Sequence, residues 1–384
     1  MKLTHVEPSR PLAGGKGRAF RLGCPLKLIH IEIAAIVLIA LLVVISGWIQ
    51  KWLWMRELGY TGVFWTLLSV QWELFCGAFL VALLYVSINL LFAAKNGANF
   101  RVGNLTSESI VAEKLDIRIS PTVLKLAMGT VAGLAGLIFA LSFYAQWDTY
   151  LRFRYGGSFG LSDPLFGVDV GFYLFRLPFY ELLQSSLTAL ALIALLAVLV
   201  FYAFFGLLRF SGGGQMESRR AKAVPHLSIL FFVLIASWGW GFYLDHYKLL
   251  YSTQGVVYGA GYTADHVTRI GLWIMAGAAA ALCALLVLNI FRPRFRAIVI
   301  GSGIYVGLYL IAILLVPALF QKFMVQPNEL ARETPYLKNN IEFTRKAYRL
   351  DTIQETSYPA LADLTSRPFQ PADRAAIESQ HHTP

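Results

Sequence analysis

Few side chains here pair a reactive type with an unusual position, and those few are acids and histidines near or inside apolar stretches. Glu73, with Gln71 and Trp72 beside it, lies about 9 Å along an apolar block. A carboxylate in hydrocarbon is costly and calls for a partner, a cavity or a proton. Glu73 is thus the first candidate for a proton or cation site, and a hydrogen-bonded glutamate at a helix interface is its structural counterpart. His30 and Glu32 open another apolar block, and Lys125 enters a third at matching depth. A Glu32 to Lys125 ion pair is one reading, and a lysine that snorkels to the headgroups is the other. Asp245-His246 and Asp265-His266 pair an imidazole with a carboxylate, as metal and haem ligands often do. Their spacing of twenty glycine-containing residues fixes no geometry, and neither Cys-x-x-Cys-His nor His-Glu-x-x-His occurs. Gly255 to Gly261 lacks the Lys-Ser/Thr of a phosphate loop. No catalytic constellation is recognisable, so no enzyme, metal or cofactor is expected; a bound lipid or pigment would leave no signal of its own.

The elements that must carry these residues follow from composition. Of 384 residues, 57% are hydrophobic and 14% charged, and the mean hydropathy is +0.58. Apolar residues fall in blocks of about twenty, long enough to cross a hydrocarbon core of about 30 Å as helices. This nearly excludes a soluble enzyme and predicts an all-α polytopic membrane protein. Seven spans are expected: Leu28 to Ile49, Leu67 to Phe92, Val123 to Phe143, Leu182 to Leu208, His226 to Leu244, Ile270 to Phe291 and Ala297 to Phe320. Residues 1–27 form a basic leading segment, 28–320 the membrane domain, 321–355 an amphipathic helical segment and 356–384 an extended or disordered tail.

The net charge of +11 could suggest nucleic acid, but its distribution argues for topology. Lys and Arg crowd residues 1–27, 95–125, 209–222 and 292–296, whereas the alternate connections hold Lys51, Arg56, Arg152, Arg154, Arg176, Lys248 and Arg269 over longer stretches. Positive segments stay cytoplasmic during insertion. The N-terminus is therefore expected in the cytoplasm and the C-terminus outside it. Cys24, Cys76 and Cys283 are too few and too scattered for a disulfide framework.

The connections on the outer side are rich in aromatic residues and glycine, which suits an interface better than water. Trp147, Tyr150, Phe166, Phe172, Tyr173 and Phe175 stand out between spans three and four. After Pro327, Leu330, Leu337, Ile341, Phe343 and Tyr348 recur at roughly helical spacing among balanced charges. With Asn328, Tyr336 and Tyr348, these aromatic residues are candidates for docking a protein partner in the membrane or periplasm. Gly129/Gly133 and Gly303/Gly307 have the spacing of close helix packing, and Gly239/Gly241 are a weak helix break.

Four ordered stretches carry a resemblance: Glu57-Leu-Gly-Tyr-Thr-Gly-Val-Phe-Trp65, Asp163-Pro-Leu-Phe-Gly-Val-Asp-Val-Gly-Phe-Tyr-Leu-Phe-Arg-Leu-Pro-Phe179, Gly255-Val-Val-Tyr-Gly-Ala-Gly-Tyr-Thr263, and Pro327-Asn-Glu-Leu-Ala331 with Asn340-Ile-Glu342. Over about residues 28 to 355 the chain resembles the bacterial membrane proteins of uncharacterised protein family 0182. The resemblance implies a seven-span membrane half followed, after the Pro327 motif, by a large extracytoplasmic region that this chain departs from by stopping at Pro384. It implies no activity and assigns no residue a role. The expected function is a non-enzymatic membrane subunit or scaffold in contact with lipid and protein partners. The alternative is a transporter or channel component with Glu73 near its pathway.

Overall fold

The computed structural model describes residues 26–97, 121–204, 214–253, 255 and 258–354. The leading segment up to residue 25 and the tail from residue 355 lie outside the described residues. Among the latter the chain is helical, and the one β feature is an isolated bridge between Ser162 and Asp169. Ten α-helices carry the fold: α1 (Leu26–Glu57), α2 (Thr61–Gly97), α3 (Pro121–Ala145), α4 (Trp147–Tyr155), α5 (Leu177–Phe204), α6 (Gly214–Lys248), α7 (Arg269–Phe291), α8 (Phe295–Tyr309), α9 (Val316–Phe320) and α10 (Glu329–Ala347).

Six helical runs among the described residues are long and apolar enough to cross a membrane, and they coincide with expected spans two to seven. Together they make an all-α polytopic membrane protein. The expected first span falls within α1, whose Ile36, Leu38, Ile39, Leu42 and Val43 are exposed. Helix is forced here because hydrocarbon offers no partner for backbone N–H and C=O groups, so each segment must satisfy its own.

The chain divides into two compact units. The first, Met1–Ser87 with Ser120–Tyr150, contains α1, α3 and most of α2. Ala132, Ala135, Phe139 and Ala140 mark the buried face of α3, and a Cβ at Gly136 would meet the Phe79 ring at 3.1 Å, so the missing side chain permits close approach of α2.

The second unit, Ile88–Ile119 with Leu151–Pro384, is built around α5, α6 and α7. In α5, Leu190, Ala191, Ala194, Leu195, Val198, Phe201 and Tyr202 are buried at a helical period, while Leu192, Leu196, Val200 and Phe204 are exposed. Both faces are apolar because lipid, unlike water, does not distinguish them; close packing and hydrogen bonds choose the buried one. In α7 the buried face runs through Leu272, Met275, Ala279, Leu282, Leu286 and Asn289. Helical structure continues from Phe295 to Ala347 through α8, a π-turn at Leu310–Leu315, α9, a second π-turn at Gln321–Val325 and a 3₁₀ turn at Gln326–Asn328. Pro317 cannot donate a backbone bond into the preceding turn, which fits the widened helix there. The expected boundary at residue 320 is thus crossed by continuous helix.

Candidate functional site

The chemistry-bearing residues of the second unit gather where loop 156–171, the segments 249–253 and 258–261, and α10 meet. Asp163 organises the first loop. Its Oδ1 accepts from Leu165 N (2.9 Å) and Phe166 N (2.6 Å), and its Oδ2 from Val168 N (2.9 Å) and the Tyr173 hydroxyl (2.8 Å). Backbone bonds from Asp163 N to Val168 O (2.9 Å) and from Val170 N to Leu161 O (2.9 Å) close the turn. Gly167 sits at φ 68°, a left-handed conformation in which a Cβ is strained. A buried carboxylate surrounded by donors is stabilised by charge-assisted hydrogen bonds, so Asp163 holds the turn's shape.

Asp169 does the same for the adjoining turn. Its carboxylate accepts from the Ser158 hydroxyl (2.7 Å) and from the amides of Phe159, Gly160 and Gly171 (3.1, 2.8 and 2.7 Å). The Ser158 hydroxyl, with help from the three amides, holds its pKa down at about 2. The glycine-rich aromatic motif is therefore two carboxylate-centred turns that set up the ring cluster behind them. Phe172 meets Tyr247 at 5.0 Å, Phe153 stacks on Phe179 at 4.3 Å, and Tyr173 and Leu177 are buried against Leu244.

The α10 helix is fastened to the same end by polar contacts from far along the chain. Buried Glu333 accepts from Tyr262 N through both carboxylate oxygens (3.1 and 3.2 Å), at the start of the helical run leading into α7. An anion there meets an otherwise unpaired N–H and the positive end of the helix dipole. Gly261 makes room, since a Cβ on it would lie 2.9 Å from Glu333 Oε2. Tyr336 donates to Asp265 (2.8 Å), which also pairs with Arg269 (2.8 Å), and Asn340 Nδ2 donates to Tyr258 O (2.8 Å). Arg332 lies over the Tyr262 ring, 5.0 Å from its centre. Between α10 and the two loops lies a largely apolar cavity of about 310 Å³, bordered by Leu165, Tyr173, Tyr251, Tyr258, Tyr336 and Phe343.

The residues singled out from sequence separate in the structure. Phe166, Phe172, Tyr173 and Phe175 take part in internal ring packing, and Tyr336 is engaged with Asp265. Trp147 and Tyr150, on α4 in the first unit, are half-buried. Asn328 and Tyr348 are exposed, as are Glu73, Glu32 and Lys125; the side chain of His30 lies outside the described residues. His246 sits against Phe166 (4.3 Å) and Trp273 (5.5 Å), whereas His266 stacks on Tyr262 (4.1 Å). Among the described residues no three His, Cys, Asp or Glu side chains gather as metal ligands would.

Sequence reasoning missed Glu333, Asp163 and Asp169 as organisers, and also a polar network inside the helices. His226 Nδ1 lies 2.7 Å from the Tyr202 hydroxyl and its Nε2 lies 3.1 Å from Asn89 Oδ1, while Asn96 Nδ2 donates to Tyr202 (3.3 Å). Because Asn89 offers an oxygen, Nε2 is the donor and Nδ1 accepts from tyrosine. A histidine opening span five, with tyrosine near the end of span four, was the available signal. A second set joins α5 to α6: Gln184 Nε2 donates to Ser237 O and to Thr188 Oγ1 (both 3.1 Å), and Thr188 meets Ser237 Oγ at 2.6 Å.

Comparison with known proteins places the chain. The model of Uncharacterised protein family (UPF0182) matches residues 28–379. A UPF0182 protein of Salinibacter ruber is 38% identical over 347 residues, covering 90% of this chain and 35% of that protein. One from Pelotomaculum thermopropionicum is 34% identical over 82% of the chain and 35% of its own length, and one from Bradyrhizobium diazoefficiens is 32% identical over 96% and 40%. The chain thus spans little more than a third of the length of these relatives. No solved structure matches it. With the Asp163 turns, residues 255–263 and the Pro327 segment all lying inside the matched region, the chain belongs to the UPF0182 family.

Proposed function

We propose that this chain is a non-enzymatic integral subunit of the bacterial cytoplasmic membrane that docks a protein component through its extracytoplasmic loop end and α10. The observation that carries this reading is the clamp on α10. Glu333, Tyr336 and Asn340 fix one face of the helix, leaving Leu330 and Ile341 exposed at 76% and 58% beside it among charged side chains. A helix held rigidly by one face presents the other without a large ordering cost, which is what a docking element requires. The Lys and Arg asymmetry supports the same orientation, with the N-terminus cytoplasmic and α10 outside.

The reading is tested by extraction from native membranes in a mild non-ionic detergent, followed by light-scattering mass measurement. A complex heavier than the 42.8 kDa chain is expected, and Leu330→Asp with Ile341→Asp should release the partner while leaving helicity unchanged. A protein-free monomer, or a complex indifferent to the double substitution, would refute it.

A further inference from the structure

A second cavity, of about 400 Å³, opens between α5, α6 and α8, bordered by Gln184, Trp238, Phe242, Asp245, Tyr305 and Tyr309. The volume falls toward the lower end of the roughly 300–1,000 Å³ typical of small-molecule sites. Four of the bordering side chains are aromatic: Trp238 and Tyr305 lie nearly parallel (10°) with ring centres 6.3 Å apart, and Phe242 and Tyr309 meet at 6.1 Å. The polar groups around it are two acceptors, on Gln184 and Asp245, beside the hydroxyls of Tyr305 and Tyr309 and the indole N–H of Trp238. Gln184 has its Nε2 spent on Ser237 and Thr188, and because Ser237 O can only accept, the amide orientation is fixed and Oε1 stays available. Asp245 brings a carboxylate, and the charges beside it do not balance: Lys248 is shared between Asp245 at 3.0 Å and Glu181 at 3.9 Å, so two carboxylates face one ammonium. The helical run of α8 is irregular at this level. Gly241 borders the cavity, where a Cβ would lie 2.7 Å from Gln184 Nε2, and Tyr309 directly precedes the π-turn at Leu310–Leu315. Such π-turns often mark sites where a helix has been reshaped for function.

Aromatic faces attract cations through their quadrupoles, and a carboxylate with surplus charge adds to that attraction. We propose that this cavity binds a small organic cation, a quaternary or protonated amine with an apolar substituent. The site is separate from the docking face of α10 and does not depend on that reading. The ammonium could belong to a free solute or to a lipid headgroup, and the experiment distinguishes the two.

The test is equilibrium dialysis of the full chain in an uncharged maltoside detergent, with phenyltrimethylammonium as probe and benzenesulfonate as an anion of similar size. Saturable binding of the cation at one site per chain is expected, with none of the anion. Asp245→Asn, which keeps shape and removes charge, should raise the cation's Kd about threefold to fivefold, and Trp238→Leu about fivefold. Asp351→Asn, away from the cavity, should leave it unchanged and serves as the folding-neutral comparison. Competition by added phosphatidylethanolamine, but not phosphatidylglycerol, would assign the site to a lipid headgroup; absence of competition would assign it to a free amine. Non-saturable binding, equal uptake of benzenesulfonate, or an undiminished affinity in both cavity variants would overturn the proposal.

Discussion

Removing the Asp163 carboxylate should open the loop that the family motif builds. Four donors converge on this buried side chain, three from the backbone and one from Tyr173. Hydrogen bonds to a charged acceptor contribute about 1.5–3 kcal/mol each, so simple addition would give about 6–12 kcal/mol. Bonds sharing one acceptor do not add, and an opened turn at the membrane surface can take up water, so Asp163→Ala should cost about 3–4 kcal/mol locally. That corresponds to an increase of about 140- to 720-fold in exchange of the Leu165, Phe166 and Val168 amides at about 1.4 kcal/mol per decade. Asp163→Asn keeps one acceptor oxygen but sets an amide N–H₂ against Val168 N, and should cost about half as much, with exchange raised about 10- to 30-fold. Hydrogen exchange read by mass spectrometry on peptides spanning 161–175 measures both variants in detergent. If these amides exchange in Asp163→Ala within about threefold of the parent chain, the carboxylate does not hold the turn and the reasoning fails.

Three further outcomes follow from the same contacts. Asp169, with its pKa held at about 2 against an ordinary 3.8, supports its turn fully above pH 4 and loses that support as the pH falls toward 2; exchange at Gly160 and Gly171 should therefore accelerate beyond the intrinsic rate only in that window, and Asp169→Asn should abolish the dependence. Glu333→Ala unpairs Tyr262 N and should weaken the attachment of α10 by about 1–2 kcal/mol, the scale of a lost helix cap, seen as faster exchange in both 262–266 and 330–340, with equal rates counting against the clamp. Tyr202→Phe removes the donor to His226 and should lower resistance to unfolding in mixed micelles by about 0.6–1.7 kcal/mol, whereas no change would mean the network is not closed by that hydroxyl.

Long-range polar pairing separates what the sequence revealed from what it concealed. The helices of spans two to seven were legible because a bilayer demands a fixed length of apolar residues, and that length is written locally. The α10 helix was likewise visible in the spacing of Leu330, Leu337 and Ile341. Its attachment was not, since Glu333 and Tyr262 stand 71 residues apart and no periodicity links a carboxylate to a backbone amide. Asp163 and Asp169 were visible as letters of a motif but not as centres of turns, because most of each carboxylate's donors are backbone N–H groups, which nearly every residue type supplies. The aromatic run between spans three and four read as a surface for partners; Phe172 and Tyr173 instead pack against Leu244 and Tyr247, as flat rings do when a neighbouring helix end is within reach. The π-turns left no warning beyond Pro317, since widening a helix by one residue leaves its apolar composition unchanged.

Whether α10 stands outside the cytoplasm decides the docking account more directly than any binding assay. In a background with Cys24, Cys76 and Cys283 replaced by serine, single cysteines at exposed Leu330 and exposed Arg292 can be offered a membrane-impermeant maleimide. The account predicts that Leu330→Cys is labelled in intact cells and Arg292→Cys only after permeabilisation. The reverse pattern would put the α10 face in the cytosol and contradict it.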